Sequence, residues 1–245
     1  MKHVLSFSSL KEFAKSPAHF LEYKKGKKTE STAMRFGTAV HMAVLEPEKF
    51  AGVYDVTDLR KNTKAYKLMI EENPDQTFMN NSDWRGINNI KDEVRKHNLA
   101  NELIYGADRY EEEIKGDIKG VPFRGFIDAI GTNYLVDLKT TQNSSPKEFQ
   151  RSAYNFQYYL QAAIYCEITG LSDFWIVAAE SSAPHNVVPY LLDSKYIERG
   201  REELYMLIEK YKKWISDDNN LKKIGYDYEL GDQSFFTLKP PKWAV

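Results

Sequence analysis

Between residues 110 and 140 the sequence becomes a series of short alternating runs, each closed by turn residues. This stretch constrains the fold more than any other. Glu111-Glu112-Glu113-Ile114-Lys115 leads to a turn near Lys119-Gly120. Residues 121–130 follow, Gly131-Thr132-Asn133 turns the chain again, and 134–140 closes the set. Apolar residues at a period of two, bounded by Gly and Asn, read as strands, here three in antiparallel succession. The period then lengthens. Residues 146–168 read as one long helix stopped by Gly170. Residues 173–179, with Phe174, Trp175, Ile176 and Val177, read as a buried strand, and 187–192 as an edge strand. Residues 194–216 read as a helix with Leu204, Leu207, Ile208 and Tyr211 inward. Strands followed by interleaved helices predict an α/β (α+β) fold with a central mixed β-sheet flanked by helices.

The chain before residue 110 reads as mostly helical. Ser9-Leu10-Lys11-Glu12 has capping-box spacing, which predicts a helix with Leu10, Phe13 and Ala14 on one face, ended near Pro17. Lys24, Lys25, Lys27 and Lys28 around Gly26 read as a solvated loop. A second helix spans 32–45, with Phe36, Val40, Ala43 and Val44 inward. Gly37 and His41 share a face of it. Residues 83–103 fit an amphipathic helix with Ile87, Ile90, Val94 and Leu99 inward, and Lys61, Lys64 and Lys67 read as solvated. At 245 residues the chain fits one domain, 1–245. Its parts are N-terminal helices (1–50), a variable, mostly helical insert (51–109), a core (110–180) and a C-terminal strand, helix and tail (181–245).

Composition excludes several classes of function. Lys and Arg number 34 against 35 Asp and Glu, a formal charge of −1. A globally basic nucleic-acid coat is excluded, whereas a local basic channel is not. The single cysteine, Cys166, excludes an intramolecular disulfide, a cysteine-rich zinc site and a four-cysteine iron–sulfur cluster. It suits a reducing cytosol. No apolar run approaches the roughly 18 residues that span a bilayer. The expectation is a soluble, cytoplasmic protein with no membrane partner.

The chemistry concentrates on the three strands. In Asp137-Leu138-Lys139 the carboxylate and the ammonium emerge on one face, because side chains at i and i+2 align along a strand. Asp128 ends the preceding strand, and Glu113 lies on the strand before that. Hairpin pairing gathers the three acids at one end of the sheet. Burying them without a counter-ion is costly, and a divalent cation removes that cost. Oxygen ligands of this kind suit Mg²⁺. Lys139 could then orient or deprotonate a water and offset charge as a phosphodiester is cleaved. Asp-x-Lys alone more often marks an exposed salt bridge. The neighbouring acids bring the two readings level. His41 alone reads as structural. Gln157, Gln161 and Tyr165 form an i, i+4 stripe, which reads as a polar helix face or as groups turned to the site. Tyr154, Phe156, Tyr158 and Tyr159 read mostly as core or interface rather than base-stacking platforms.

In order, these residues are Phe36-Gly37-Thr38-Ala39-Val40-His41, Glu113, Gly125-Phe126-Ile127-Asp128, Val136-Asp137-Leu138-Lys139-Thr140-Thr141 and Gln161-x-x-x-Tyr165. The set resembles the PD-(D/E)xK nuclease superfamily, and within it the phage-type exonucleases of the exonuclease VIII group, distant relatives of lambda exonuclease. Leu5-Ser6-Phe7-Ser8-Ser9-Leu10, Ser16-Pro17-Ala18-His19-Phe20 and the ending near Trp243 match as well. The resemblance implies hydrolysis with two Mg²⁺ ions, for which Mn²⁺ can substitute. Asp128, Asp137 and the Leu138 carbonyl would hold metal, and Glu113 and His41 would complete its shell. Lys139 would act on the attacking water, and Gln161 and Tyr165 would shape the site. Among the three consecutive glutamates, Glu112 is the alternative to Glu113. Alternation puts Glu111 and Glu113 on one face, and distance to Gly120 and Asp128 favours Glu113. The resemblance further implies degradation of linear double-stranded DNA from its 5′ ends, leaving 3′ single strands for an annealing protein in phage-type recombination. It also implies a homo-oligomeric ring, a trimer or tetramer. An endonuclease or a catalytically silent DNA-binding module on the same core are the alternatives.

Overall fold

A computed structural model describes residues 3–26 and 31–216. Lys27, Lys28 and the ending near Trp243 lie outside the described residues. The N-terminal half supplies α1 (Phe7–Lys15), α2 (Pro17–Lys24), α3 (Thr32–Leu45), α4 (Pro47–Val53), β1 (Tyr54–Val56), α5 (Lys64–Glu72), β2 (Thr77–Met79), α6 (Asn81–Lys96) and α7 (Asn98–Tyr105). The remainder supplies β3 (Arg109–Ile118), β4 (Val121–Ile130), β5 (Tyr134–Thr141), α8 (Pro146–Asn155), α9 (Tyr158–Thr169), β6 (Asp173–Glu180), β7 (Val187–Leu191) and α10 (Ser194–Ile215). The main sheet runs β3-β4-β5-β6-β7, and β1 and β2 form a small parallel pair.

The expected mixed sheet is present. β5 and β6 pair in parallel, and the other neighbours pair antiparallel. β5 is the middle strand, and Leu135, Val136, Asp137 and Leu138 are all buried. A strand covered on both faces reads as a near-continuous apolar run, which makes its single carboxylate conspicuous. One face of the sheet packs against α1, α2, α9 and α10 through Leu10, Phe20, Phe123, Leu160, Leu204 and Trp214. The other packs against α3, α6 and α7 through Val40, Ile87, Ile90, Ile104, Val136 and Val177.

Three local expectations are corrected. The predicted helix over 146–168 is two helices, because Gln157 takes a left-handed φ of 60° between α8 and α9. Apolar periodicity cannot register that break, since both halves keep helical spacing. The stretch 83–103 is likewise divided at His97, whose ring accepts the Ala100 N–H and caps α7. Leu99 is exposed rather than inward. The first helix starts earlier than expected. Ser6 caps it and Ser9 occupies the third position, the two hydroxyls completing the reciprocal box. Leu10 and Phe13 are buried as expected, whereas Ala14 is exposed.

Candidate active site

β4 lies between two partners on one edge. The backbone of Leu5 bonds to Pro122 and Arg124, while β5 pairs with Ala129 and Ile130. The stretch between, from Gly125 to Asp128, faces a gap. Asp128 compensates for the missing ladder there, because its Oδ2 accepts the Leu138 N–H at 2.6 Å. The carboxylate thereby joins the two strands where they separate. Gly125 is required at the start of the gap. A Cβ there would lie 2.6 Å from the Tyr165 ring, so the absent side chain lets α9 bring Tyr165 over the strand.

The buried centre of the site is a row of polar groups on β4, β5 and α9. Lys139 Nζ lies 2.5 Å from Asp137 Oδ2. Gln161 Nε2 donates to Asp137 Oδ1 at 2.9 Å and approaches the Tyr165 hydroxyl at 3.5 Å. The Tyr158 ring lies beneath the lysine, 5.2 Å from Nζ to centroid. From α3, His41 Nδ1 reaches within 3.4 Å of Asp128 Oδ2. Gly37 lets that helix approach β5, since a Cβ would stand 3.2 Å from Thr140 Oγ1.

Electrostatics follow from this packing. Burial disfavours ionised Asp128, but His41, Lys139 and the Leu138 N–H outweigh it and hold its carboxyl below the ordinary range. Asp137 is pushed up by burial and by the Asp128 charge, despite Lys139. Burial alone would lower Lys139, yet Asp137 and Asp128 hold it well above its ordinary value. Lys139 is an ammonium locked to carboxylates. Burial pushes the Tyr165 phenol up to about 12, so it remains a neutral hydrogen-bonding group.

The structure brings His41, Asp128, Asp137, Leu138, Lys139, Gln161 and Tyr165 together. Glu113 does not join them. It pairs with Lys115 at 2.6 Å, and Glu112 pairs with Arg109 at 3.2 Å. Glu111 is the glutamate at the site, with ligand atoms of His41, Glu111 and Asp128 all within 4.8 Å of one another. The expectation for Glu113 is thus corrected on two physical grounds. The Lys119-Gly120 turn has φ values of 50° and 80°, and Ile118 pairs with Val121 across it. Counting back from that two-residue turn sets position 111 opposite 128. Secondly, Glu111 itself has a φ of 47°, which breaks the alternation used to group it with Glu113. Tyr110 accordingly packs on the α3 side, whereas Ile114 and Ile118 pack on the α9 side. A left-handed non-glycine residue beside buried acids is a costly conformation of the kind found at functional sites. Turn geometry could have located Glu111 from the sequence. Tyr158 carried no comparable signal.

The donor set fits a divalent cation. His41, Glu111 and Asp128 offer converging nitrogen and oxygen ligands. Asp128 and Asp137 are both buried, and the Asp128 charge pushes Asp137 up even with Lys139 against its Oδ2, a costly pairing of like charges that a cation would relieve. His41, Glu111, Asp128, Asp137 and the Leu138 carbonyl are the groups available to hold it.

A strand-separated pair of aspartates, a following lysine and a helix carrying Gln and Tyr on a mixed sheet define the PD-(D/E)xK class of nuclease folds. A family model for a PDDEXK-like domain of unknown function (DUF3799) matches residues 6–223. The chain belongs to that family. Among solved structures, it is similar to a presumed exonuclease from Eubacterium rectale, with TM-score 0.65 and 15% identity over 97% of this chain and 90% of that one. A phage-related exonuclease from Haemophilus somnus 129PT matches at TM-score 0.41 and 14% identity, over 88% and 96% of the two chains. An alkaline exonuclease from Laribacter hongkongensis matches at TM-score 0.40 and 14% identity, over 87% and 90%. No curated protein sequence matches the chain.

Proposed function

We propose that this protein is a divalent-metal-dependent deoxyribonuclease that degrades linear double-stranded DNA from its ends. The observation that carries the reading is the convergence of His41, Glu111 and Asp128 beside the Asp137–Lys139 pair. The fold shared with the Eubacterium rectale protein supports it. Bound Mg²⁺, with Mn²⁺ able to substitute and two ions as the expected complement, would supply an activated water and stabilise charge on the phosphate oxygens. The protein's own groups define the rest. Gln161 fixes the orientation of Asp137, and Asp128 is held ionised by its neighbours. Lys139, kept as an ammonium, is placed to steady the attacking water and offset charge on the phosphate. Tyr165 and Tyr158 wall the site and restrict water.

The finer reading is cleavage from 5′ ends, leaving 3′ single strands for an annealing protein in phage-type recombination. It includes a trimeric or tetrameric ring and a cytoplasmic setting in a phage- or prophage-bearing host. These parts rest on the resemblance of the ordered motifs. Among the described residues, no helix is long and apolar enough to cross a membrane.

The test is digestion of end-labelled linear duplex and supercoiled plasmid side by side, with Mg²⁺ or EDTA and Lys139→Ala as control. The expected result is metal-dependent loss of linear DNA from its 5′ ends, an intact plasmid and an inactive variant. A cut plasmid would replace the exonuclease with an endonuclease. No cleavage in Mg²⁺ or Mn²⁺ would leave a DNA-binding module.

A further inference from the structure

The formal charge of the whole chain is −1, so any strongly basic surface has to be local. Between β1 and α5 the chain builds one. Arg60, Lys61, Lys64 and Lys67 are all exposed, and among the described residues none of the four side chains makes an ion pair or a hydrogen bond. Many exposed helical lysines of this chain behave otherwise and meet a glutamate one turn earlier, as in Lys15–Glu12, Lys96–Glu93 and Lys212–Glu209. Lys67 has Glu71 at the i+4 position and does not engage it. Thr63 caps α5 by accepting the Tyr66 N–H, so the positive end of the helix dipole adds to the four cations.

The helix that carries these cations contributes little to the core. α5 is 9 residues long and none of them is buried, whereas a helix of that length depends on burying an apolar face. Tyr66 and Ile70 instead line a cavity of about 450 Å³ that also contains Arg35, Phe36 and Lys61. Thr32, Phe36 and Asp83 line this cavity and also one of about 740 Å³, in which Thr140 and Thr141 follow Lys139. A continuous recess thus joins the basic surface to the catalytic strand. From Arg35 to His41 along α3 is about 9 Å, the length of roughly two to three base pairs of duplex.

Cations without exposed rings between them hold a nucleic-acid backbone rather than its bases. Single-strand grooves interleave the two, and from residue 54 to residue 80 no aromatic side chain is exposed. We infer that the face formed by Arg60, Lys61, Lys64 and Lys67 is a clamp for the phosphate backbone of duplex DNA, holding it a few base pairs from Lys139. The inference rests on the nuclease reading for the identity of the duplex, and it assigns a surface outside the catalytic groups.

The probe is a short, fluorescently labelled duplex, titrated by anisotropy in EDTA at several salt concentrations. Each phosphate contact contributes about 0.9 to the slope of log affinity against log salt. The combined Arg60→Gln, Lys64→Gln and Lys67→Gln variant is therefore expected to lose roughly 2–3 units of that slope. Lys64→Arg with Lys67→Arg should keep the wild-type slope. Lys195→Gln removes an exposed cation at the start of α10 that makes no ion pair among the described residues, and it should lose nothing. Thermal melting checks that these exposed substitutions leave the fold intact. In cleavage of linear duplex, the triple variant should raise KM and keep kcat near the wild-type value, because the site itself is untouched. An unchanged slope in the triple variant, or an equal loss in Lys195→Gln, overturns the clamp. So does a larger loss on a single strand of the same length. Loss of slope in the triple variant, with no cleavage by the wild type in any divalent metal, keeps the backbone contact and sinks the nuclease reading instead.

Discussion

Three glutamates in succession divide between two electrostatic settings. Glu112 and Glu113 meet Arg109 and Lys115 at the sheet's outer strand, the screened, low-value kind of ion pair. Glu111 faces Asp128 and His41, where burial and the Asp128 charge push its carboxyl up. A left-handed φ of 47° turns it there. The expected outcome is therefore sharply unequal across the series. Glu111→Gln should lower kcat/KM roughly 100-fold, the scale seen when a metal site loses a ligand or its supporting group, while Glu113→Gln should stay within about twofold. Steady-state digestion of linear duplex at fixed Mg²⁺ compares them. Equal loss in both variants would return the metal role to Glu113, and no loss in either would remove this strand from the site.

At the scale of elements, α9 carries Gln161 and Tyr165, so its position decides the shape of the site. α10 holds it from behind. Gly200 lets the two helices touch, since a Cβ there would fall 2.1 Å from the Tyr159 carbonyl. Glu203 accepts from the Tyr159 hydroxyl at 3.0 Å and from Gln157 Nε2 at 3.3 Å, tying down the residue that separates α8 from α9. Gly200→Ala must push the helices apart, and overpacking of that kind costs about 1–3 kcal/mol. Gly52→Ala, in α4 with open space around it, should instead be neutral or stabilise by up to about 1 kcal/mol, as helix propensity dictates. Urea melts of the two variants decide it, and a wild-type midpoint for Gly200→Ala would refute the close-contact account. These elements also show what the sequence made legible. β3 through β7 and α10 were readable because alternation, turn residues and helical stripes are local signals. The break at Gln157 was not, because a left-handed residue held by a side chain 46 positions away leaves no trace in periodicity. The same limit applies at the site. Asp128, Asp137, Lys139, Gln161 and Tyr165 were legible from strand spacing and motif order. Glu111 was hidden from alternation by a backbone distortion, although the register of the Lys119-Gly120 turn pointed to it, and Tyr158 was hidden by a cation–ring contact created in three dimensions.

Across the whole molecule, the site lies where both faces of the sheet contribute. α3 supplies His41 from one side and α9 supplies Gln161 and Tyr165 from the other, with Asp128, Asp137 and Lys139 between them. A ligand bound there draws on both hydrophobic layers, so it should stabilise the fold as a unit rather than a single loop. The metal-free state carries a penalty of its own, since burial and the Asp128 charge push Asp137 up despite Lys139. A divalent cation that binds the folded chain and not the unfolded one stabilises it by mass action, about 2.7 kcal/mol at a hundred times Kd. For a domain of this size that corresponds to a rise in Tm of roughly 5–10 °C. Thermal melts in EDTA and in rising Mg²⁺ or Mn²⁺ should show this concentration-dependent increase. Asp128→Asn should abolish the increase, because it removes the carboxylate shared by His41 and the Leu138 N–H. Its metal-free Tm locates the cause. If the apo variant is no less stable than the wild type while its metal response is gone, the aspartate serves the ion. If the apo variant is markedly less stable and still gains with metal, Asp128 serves chiefly to join β4 to β5, and the cation must be held by other groups.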